Sequence, residues 1–223
     1  MPPDVSAAEA TLTLADWRRR IADLYADVRR IAASDPEAAL ARWRETRERL
    51  YREHPQSPVP PADRPAFRAR HFDHDPGLRF DVAVEPDAAA TDPHDETPSP
   101  SDGLALPMSV GGTMSFRRIG SVTVPFPAGE QQLGLFWMAG YAGGLFLPFR
   151  DATNGHETYG AGRYLLDAAK AADLGSGTAP GSLVLDFNFA FQPSCAFDPQ
   201  WACPLAPPEN RLDIAIRAGE RIA

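Results

Sequence analysis

Cysteine is scarce in this chain: only Cys195 and Cys203 occur among 223 residues. That excludes a scaffold built on disulfides, and in a cytosolic protein two such residues are ordinarily reduced thiols. Excess positive charge is missing as well. The formal net charge is −8, so the basic face of a nucleic-acid binder is absent. No long uninterrupted apolar run exists. The nearest approach, Gln131 to Phe149, falls short of the roughly 20 apolar residues that a membrane span needs. It also contains Gly134, Gly140, Gly143, Gly144 and Pro148, and reads as two buried strands around a glycine turn. The start, MPPDVSAAEATLTLADW, lacks the basic region and apolar region of a secretory leader. A soluble, cytoplasmic protein is expected, with neither nucleic acid nor membrane as partner. No internal repeat is evident.

What the chain does contain divides into two parts. At 43% hydrophobic, it can build one sizeable core with a small appendage. Residues 1–60 read as a helical hairpin and a proline-rich linker. Trp17, Ile21, Leu24, Tyr25, Val28 and Ile31 recur at helical spacing. Ser34-Asp35-Pro36-Glu37 is a capping box that starts a second helix, striped by Leu40, Trp43, Leu50 and Tyr51. His54-Pro55 ends it, and HPQSPVPPADRP cannot continue it. The arginines between these apolar positions read as a solvated face.

Residues 61–223 read as a β domain, because the hydrophobic period changes to two after Phe67. LRFDVAV, TMSFRRIGSVTVPF, QQLGLFWMA, GLFLPFR, ETYGAGRYLL, SLVLDFNFAF and NRLDIAIRA are strand candidates. Asn154-Gly155 marks a tight turn. An acidic Pro/Ser/Ala loop at about 85–106 interrupts them. Glu85, Asp87, Asp92, Asp95, Glu96 and Asp102 concentrate most of the excess negative charge there, in a composition that cannot form a core. No helix alternates with the strands, so the sheet is expected to be antiparallel. The fold class is mainly β: a curved antiparallel sheet, or a barrel or sandwich, with the two-helix hairpin outside it (α+β overall).

Candidate chemistry centres on TNGHETYGAGRYLL. If this stretch is a strand, Tyr159 and Arg163 share one face, while Gly160 and Gly162 clear a notch on the other. The notch admits either a core side chain or a ligand. In SLVLDFNFAFQ, alternation puts Leu183, Leu185, Phe187, Phe189 and Phe191 on one face, with Asp186 and Asn188 on the other. An Arg163–Asp186 pair is expected, completed by Tyr159 and Asn188. It could floor a pocket for a small polar or anionic ligand or form a buried network. Cys195 and Cys203 lack the spacing of a zinc knuckle; Cys203-Pro204 reads as a buried thiol pinning a proline-rich loop. His71 and His74 read as aromatic residues capping a turn. No metal or cofactor is expected.

Three stretches, HPQSPVPPADRPAFRARHFDHDPGLRF, LPFRDATNGHETYGAGRYL and LDFNFAFQPSCAFDPQWACPLAPPENRLDIAIRAGE, resemble the bacterial and archaeal domain-of-unknown-function family 1684, from about Trp43 to Ala218. The resemblance implies no reaction, since the family is uncharacterised. It marks Asp151, Thr153, Gly155, Thr158, Tyr159, Gly160, Gly162, Arg163 and Tyr164 in a central motif. Asp186, Asn188, Pro193, Cys195, Cys203, Pro204, Pro207 and Asn210 fall in a C-terminal one. Aromatic residues are usual in the family where His71 and His74 stand, and Asn is commoner where Gln192 stands. Two functional classes stay open: a small-molecule-binding or enzymatic domain with candidate ligand residues Tyr159, Arg163, Asp186, Asn188, Asp151 and Tyr164, or a non-enzymatic structural or interaction module.

Overall fold

A computed structural model describes residues 6–87, 104–139 and 143–222. Helices α1 (Ala7–Ala32) and α2 (Pro36–Glu53) form the expected hairpin. The cap of α2 sits one residue later than the capping-box reading put it. Asp35, not Ser34, accepts from the Ala38 amide at 2.9 Å, and Pro36 takes the first turn, where its missing N–H is no loss.

Nine strands follow among the described residues: β1 (Arg70–His71), β2 (Arg79–Pro86), β3 (Leu104–Pro107), β4 (Thr113–Phe126), β5 (Gly129–Met138), β6 (Gly144–Phe149), β7 (Arg163–Asp167), β8 (Ser182–Asp186) and β9 (Glu220–Arg221). β1 and β9 pair alone. The other seven make one antiparallel sheet in the order β7-β6-β5-β4-β2-β8, with β3 pairing β4 beside β2. This sheet curls into a half-barrel. Bulges at Arg118/Gly120 and at Leu147/Pro148 supply local bends of the kind that curl a sheet. The acidic loop is narrower than the composition suggests, because Glu85 and Pro86 belong to β2 and Leu104 to Leu106 to β3. Its centre, with Asp92, Asp95, Glu96 and Asp102, lies outside the described residues.

Side-chain alternation gives the sheet two apolar faces. Phe136, Phe146 and Tyr164 point one way and join Trp17, Ile21, Leu24, Tyr25, Leu40, Trp43, Leu50 and Tyr51 of the helices. Their neighbours Leu135, Leu147 and Leu165 point the other way, into a second cluster with Phe149, Phe187, Leu212 and Ile216. Trp43 is fully buried, and its indole N–H donates to the Tyr25 hydroxyl at 3.1 Å. Full burial of one such side chain is worth about 1.5–3 kcal/mol, so the hairpin is held by the sheet and not by helix propensity.

Three of the strand readings need correction. In ETYGAGRYLL the strand begins only at Arg163. Gly162, at φ +102°, breaks the extended run before it. SLVLDFNFAF stops at Asp186, because that side chain accepts from the Asn188 amide and turns the chain into a 3-10 turn over Phe187–Phe189. Phe187 and Phe189 therefore do not share a strand face; they fall in different clusters. NRLDIAIRA forms no strand of its own. Its backbone runs parallel to residues 150–152, through Leu212 N–H to the Arg150 carbonyl at 2.8 Å and Ala152 N–H to the Ile214 carbonyl at 3.0 Å.

Candidate functional site

The carbonyls of this C-terminal segment explain why it leaves the sheet. Arg163, fully buried at the first position of β7, donates to the carbonyls of Ile216 at 2.7 Å, of Ala218, and of Glu220 at 3.3 Å. Alternate carbonyls of an extended strand point to one side, so a single guanidinium takes the place of a neighbouring strand. Its remaining terminal contact is Asp151 Oδ2 at 2.6 Å. The other Asp151 oxygen accepts from the amide and hydroxyl of Thr153. The Arg163 guanidinium also lies 5.1 Å from the centre of the Phe149 ring. Burial pushes the Arg163 pKa down, and Asp151 opposes that.

The expected Arg163–Asp186 pair does not form. Asp186, at 1% exposure, accepts from Arg79 Nη1 at 3.3 Å and from the backbone and side-chain nitrogens of Asn188 at 3.0 and 2.8 Å. Asn188 exchanges two bonds with the backbone of Asp75, at 2.9 and 2.8 Å. Asp186 ends its strand as a turn cap, so its side chain folds back on its own chain and cannot reach across to β7. Arg163, Asp186 and Asn188 thus have their principal polar contacts within the protein, and they do not converge on an opening.

The motif glycines differ from each other. A Cβ on Gly162 would collide with the Phe149 carbonyl, and φ is +102° there; Gly160 has nothing nearer than 3.9 Å and no such φ. Close approach at this strand is therefore by the backbone of β6, at Gly162 alone. Tyr159 lies beside Cys195. Tyr164 donates its hydroxyl to the Pro204 carbonyl at 2.5 Å, and this pins the proline-rich loop together with Cys203. Asn210, with no exposed surface, bonds Gly134 on β5 in both directions and the Pro148 carbonyl on β6 at 2.7 Å.

Residues 68–221 match the family described as protein of unknown function (DUF1684). The chain belongs to this family. The solution NMR structure of an uncharacterised protein of Haloarcula marismortui is similar, at a TM-score of 0.57 and 29% identity. The match covers 83% of this chain and 94% of that one. No curated protein matches. Among the described residues, no helix is long and apolar enough to cross a membrane.

The open sites of this DUF1684 chain lie elsewhere. One cleft, of about 230 Å³, is lined by Phe67, Arg68, Arg70, Gln192, Phe197 and Arg221, among others. Arg70 and Arg221 are cross-strand partners in the β1–β9 ladder. The buried Oε1 of Gln192 and Nε of Arg221 have no hydrogen-bond partner among the described residues. Glu220 also borders the cleft, but its carboxylate accepts from Arg47 Nε at 2.9 Å and from the Gln192 amide at 2.9 Å. A second cleft, of the same volume, is lined by Arg150, Asp151, Asn154, His156 and Arg211. Of the candidate ligand residues only Asp151 borders either cleft.

Sequence reasoning missed Arg47 and Glu220, a pair with 3% of each side chain exposed. The Arg47 guanidinium lies 4.7 to 4.9 Å from the ring centres of Trp43, Tyr51 and Phe191. The signal was present, since Arg47 stands four residues after Trp43 and three before Leu50, on the apolar stripe. The solvated-face reading of the helical arginines fails there. His71 was read as a turn cap, but the cap is Asp75, which accepts from the Gly77 amide at 2.9 Å. His71 packs its ring edge-on to Trp43 at 5.8 Å, and burial pushes its pKa down to about 4.

Proposed function

We propose that this protein binds a small organic anion in the cleft between the β1–β9 ladder and the turn at Ser194–Ala196. One observation carries the reading: Arg70 and Arg221 stand directly opposite each other across the ladder and line one cleft. Like charges in directly opposed positions destabilise a strand pair, so the arrangement gains from an anion between them. Arg68 adds a third guanidinium. A planar guanidinium recognises carboxylate or phosphate by paired hydrogen bonds.

The unpartnered Gln192 Oε1 asks the ligand for a donor, and Phe67 and Phe197 offer it an apolar wall. The volume, about 230 Å³, is below the roughly 300–1,000 Å³ of drug-sized sites. A hydroxycarboxylate of a few carbons meets all three conditions. The buried Arg163–Asp151 and Arg79–Asp186–Asn188 contacts support the structural reading of the motif residues, so the motif shapes the domain and the cleft binds. The test is a thermal-shift series with malate against succinate and lactate against propionate, on the parent and on Arg70→Ala/Arg221→Ala. Stabilisation that needs both the hydroxyl and the two arginines is expected. Equal shifts in the parent and the variant would sink the proposal.

A further inference from the structure

Neither the buried arginine contacts nor the cleft makes use of the two thiols. Cys195 and Cys203 are free, each 5% exposed, and they lie against each other. The Cys195 amide donates to Cys203 Sγ at 3.4 Å. Cys203 is held in turn, its own amide donating to Ser109 Oγ at 3.0 Å, while Met108 and Pro204 bridge beside it. The Cys203 thiol and the Tyr159 phenol are the donors that bear on the Cys195 sulfur. Both can donate, whereas the Ser109 hydroxyl gives its proton to the Trp201 carbonyl at 3.0 Å. Tyr159 belongs to the same motif as Arg163.

We propose that Cys195 and Cys203 form a reversible two-electron redox pair, in which Cys195 is the nucleophile toward a hydroperoxide and Cys203 the resolving thiol. In the first step the Cys195 sulfur attacks the terminal peroxide oxygen. A sulfur–oxygen bond forms and the oxygen–oxygen bond breaks. The electron pair leaves on the alkoxide or hydroxide, which takes a proton from water. Sulfur has then been oxidised by two electrons and the peroxide reduced by two. In the second step Cys203 attacks the sulfenic sulfur of Cys195. The disulfide forms, the sulfur–oxygen bond breaks, and the departing hydroxide combines with the Cys203 proton as water. A small dithiol restores the pair and becomes a disulfide itself.

The local charges agree with this division of roles. Donation by the Cys203 thiol holds Cys195 down to about 6, so it is mostly thiolate at neutral pH, the reactive form. Cys203 is pushed up, because its proton is shared with Cys195 and burial disfavours its charge. Burial and the neighbouring sulfur raise Tyr159 to about 12, which keeps it a donor throughout the neutral range.

The test starts from the reduced parent protein and an equimolar amount of hydrogen peroxide, read by intact mass and free-thiol titration. Expected are a mass loss of one hydrogen molecule per chain, the disappearance of both thiols, and their return with dithiothreitol. In Cys203→Ser, dimedone should label Cys195; in Cys195→Ser, the remaining thiol should stay unlabelled. The rate of iodoacetamide alkylation at Cys195 should rise with a midpoint near 6, and Tyr159→Phe should move that midpoint up by about one unit. Two thiols that persist in excess peroxide, or a midpoint at the ordinary thiol value, would overturn the proposal whether or not any variant folds.

Discussion

Replacing Arg163 with alanine removes the group that holds the C-terminal segment in place of a neighbouring strand. In the parent it meets Asp151 at 2.6 Å and the carbonyls of Ile216, Ala218 and Glu220, with neither charged side chain exposed. Breaking a buried pair by deleting one partner costs about 3–5 kcal/mol. Each carbonyl left buried without a donor adds roughly 1–3 kcal/mol unless water enters. Water reaching the emptied space recovers part of this, so a loss of about 5 kcal/mol is expected. That is a large share of the roughly 5–15 kcal/mol of a whole domain, and a fall in Tm of roughly 10–20 °C at this size. Urea unfolding followed by tryptophan fluorescence measures it. A double-mutant cycle then assigns the partner: Arg163→Ala should couple to Asp151→Asn and add independently to Asp186→Asn, with which it shares no partner. A loss under about 1 kcal/mol, or coupling to Asp186 instead of Asp151, would refute the reasoning.

Three further outcomes follow from neighbouring geometry. Gly162→Ala should cost roughly 2–5 kcal/mol, because a left-handed conformation and a backbone collision add, whereas Gly160→Ala should be close to neutral in the same unfolding assay. His71 is charged more readily in the unfolded chain, at its ordinary 6.5, than in the folded one, at about 4. The unfolded state therefore binds the extra proton, and stability should fall by up to about 3 kcal/mol as pH drops from 6.5 to 4. His71→Phe should flatten that part of the stability–pH curve. Asn210→Ala should cost about 2–4 kcal/mol, since it strands the buried Gly134 amide and the Pro148 carbonyl at once; equilibrium unfolding checks it.

The elements with a strong period were legible in the sequence. Trp17 to Val28 and Leu40 to Tyr51 gave both helices, and TMSFRRIGSVTVPF gave β4 in full. The antiparallel sheet followed from the lack of helices between strands. Legibility ended where a side chain, and not the backbone period, decides the path. Asp186 caps a turn within an alternating run, and nothing local separates that from a strand residue. Arg163 was identified as needing compensation, but its partner is twelve residues earlier on the far side of a turn, and its other acceptors are main-chain carbonyls. Backbone acceptors carry no sequence signature. Arg47 could have been found from its place on the apolar stripe; Glu220 could not, because only tertiary packing brings it to α2. The cleft is assembled from the segments around 67–70, 192–197 and 220–222, which are far apart in sequence and meet only through tertiary packing.

The most direct test of the ligand site is an amide chemical-shift titration of the labelled protein with malate at constant pH and ionic strength. The account predicts saturating shifts at Phe67 to His71, Gln192, Phe197 and Arg221, with Arg163, Asp186 and Asn188 unmoved, and loss of those shifts in Arg70→Ala/Arg221→Ala. Saturating shifts centred on Arg163, Asp186 and Asn188, or none anywhere, would contradict it.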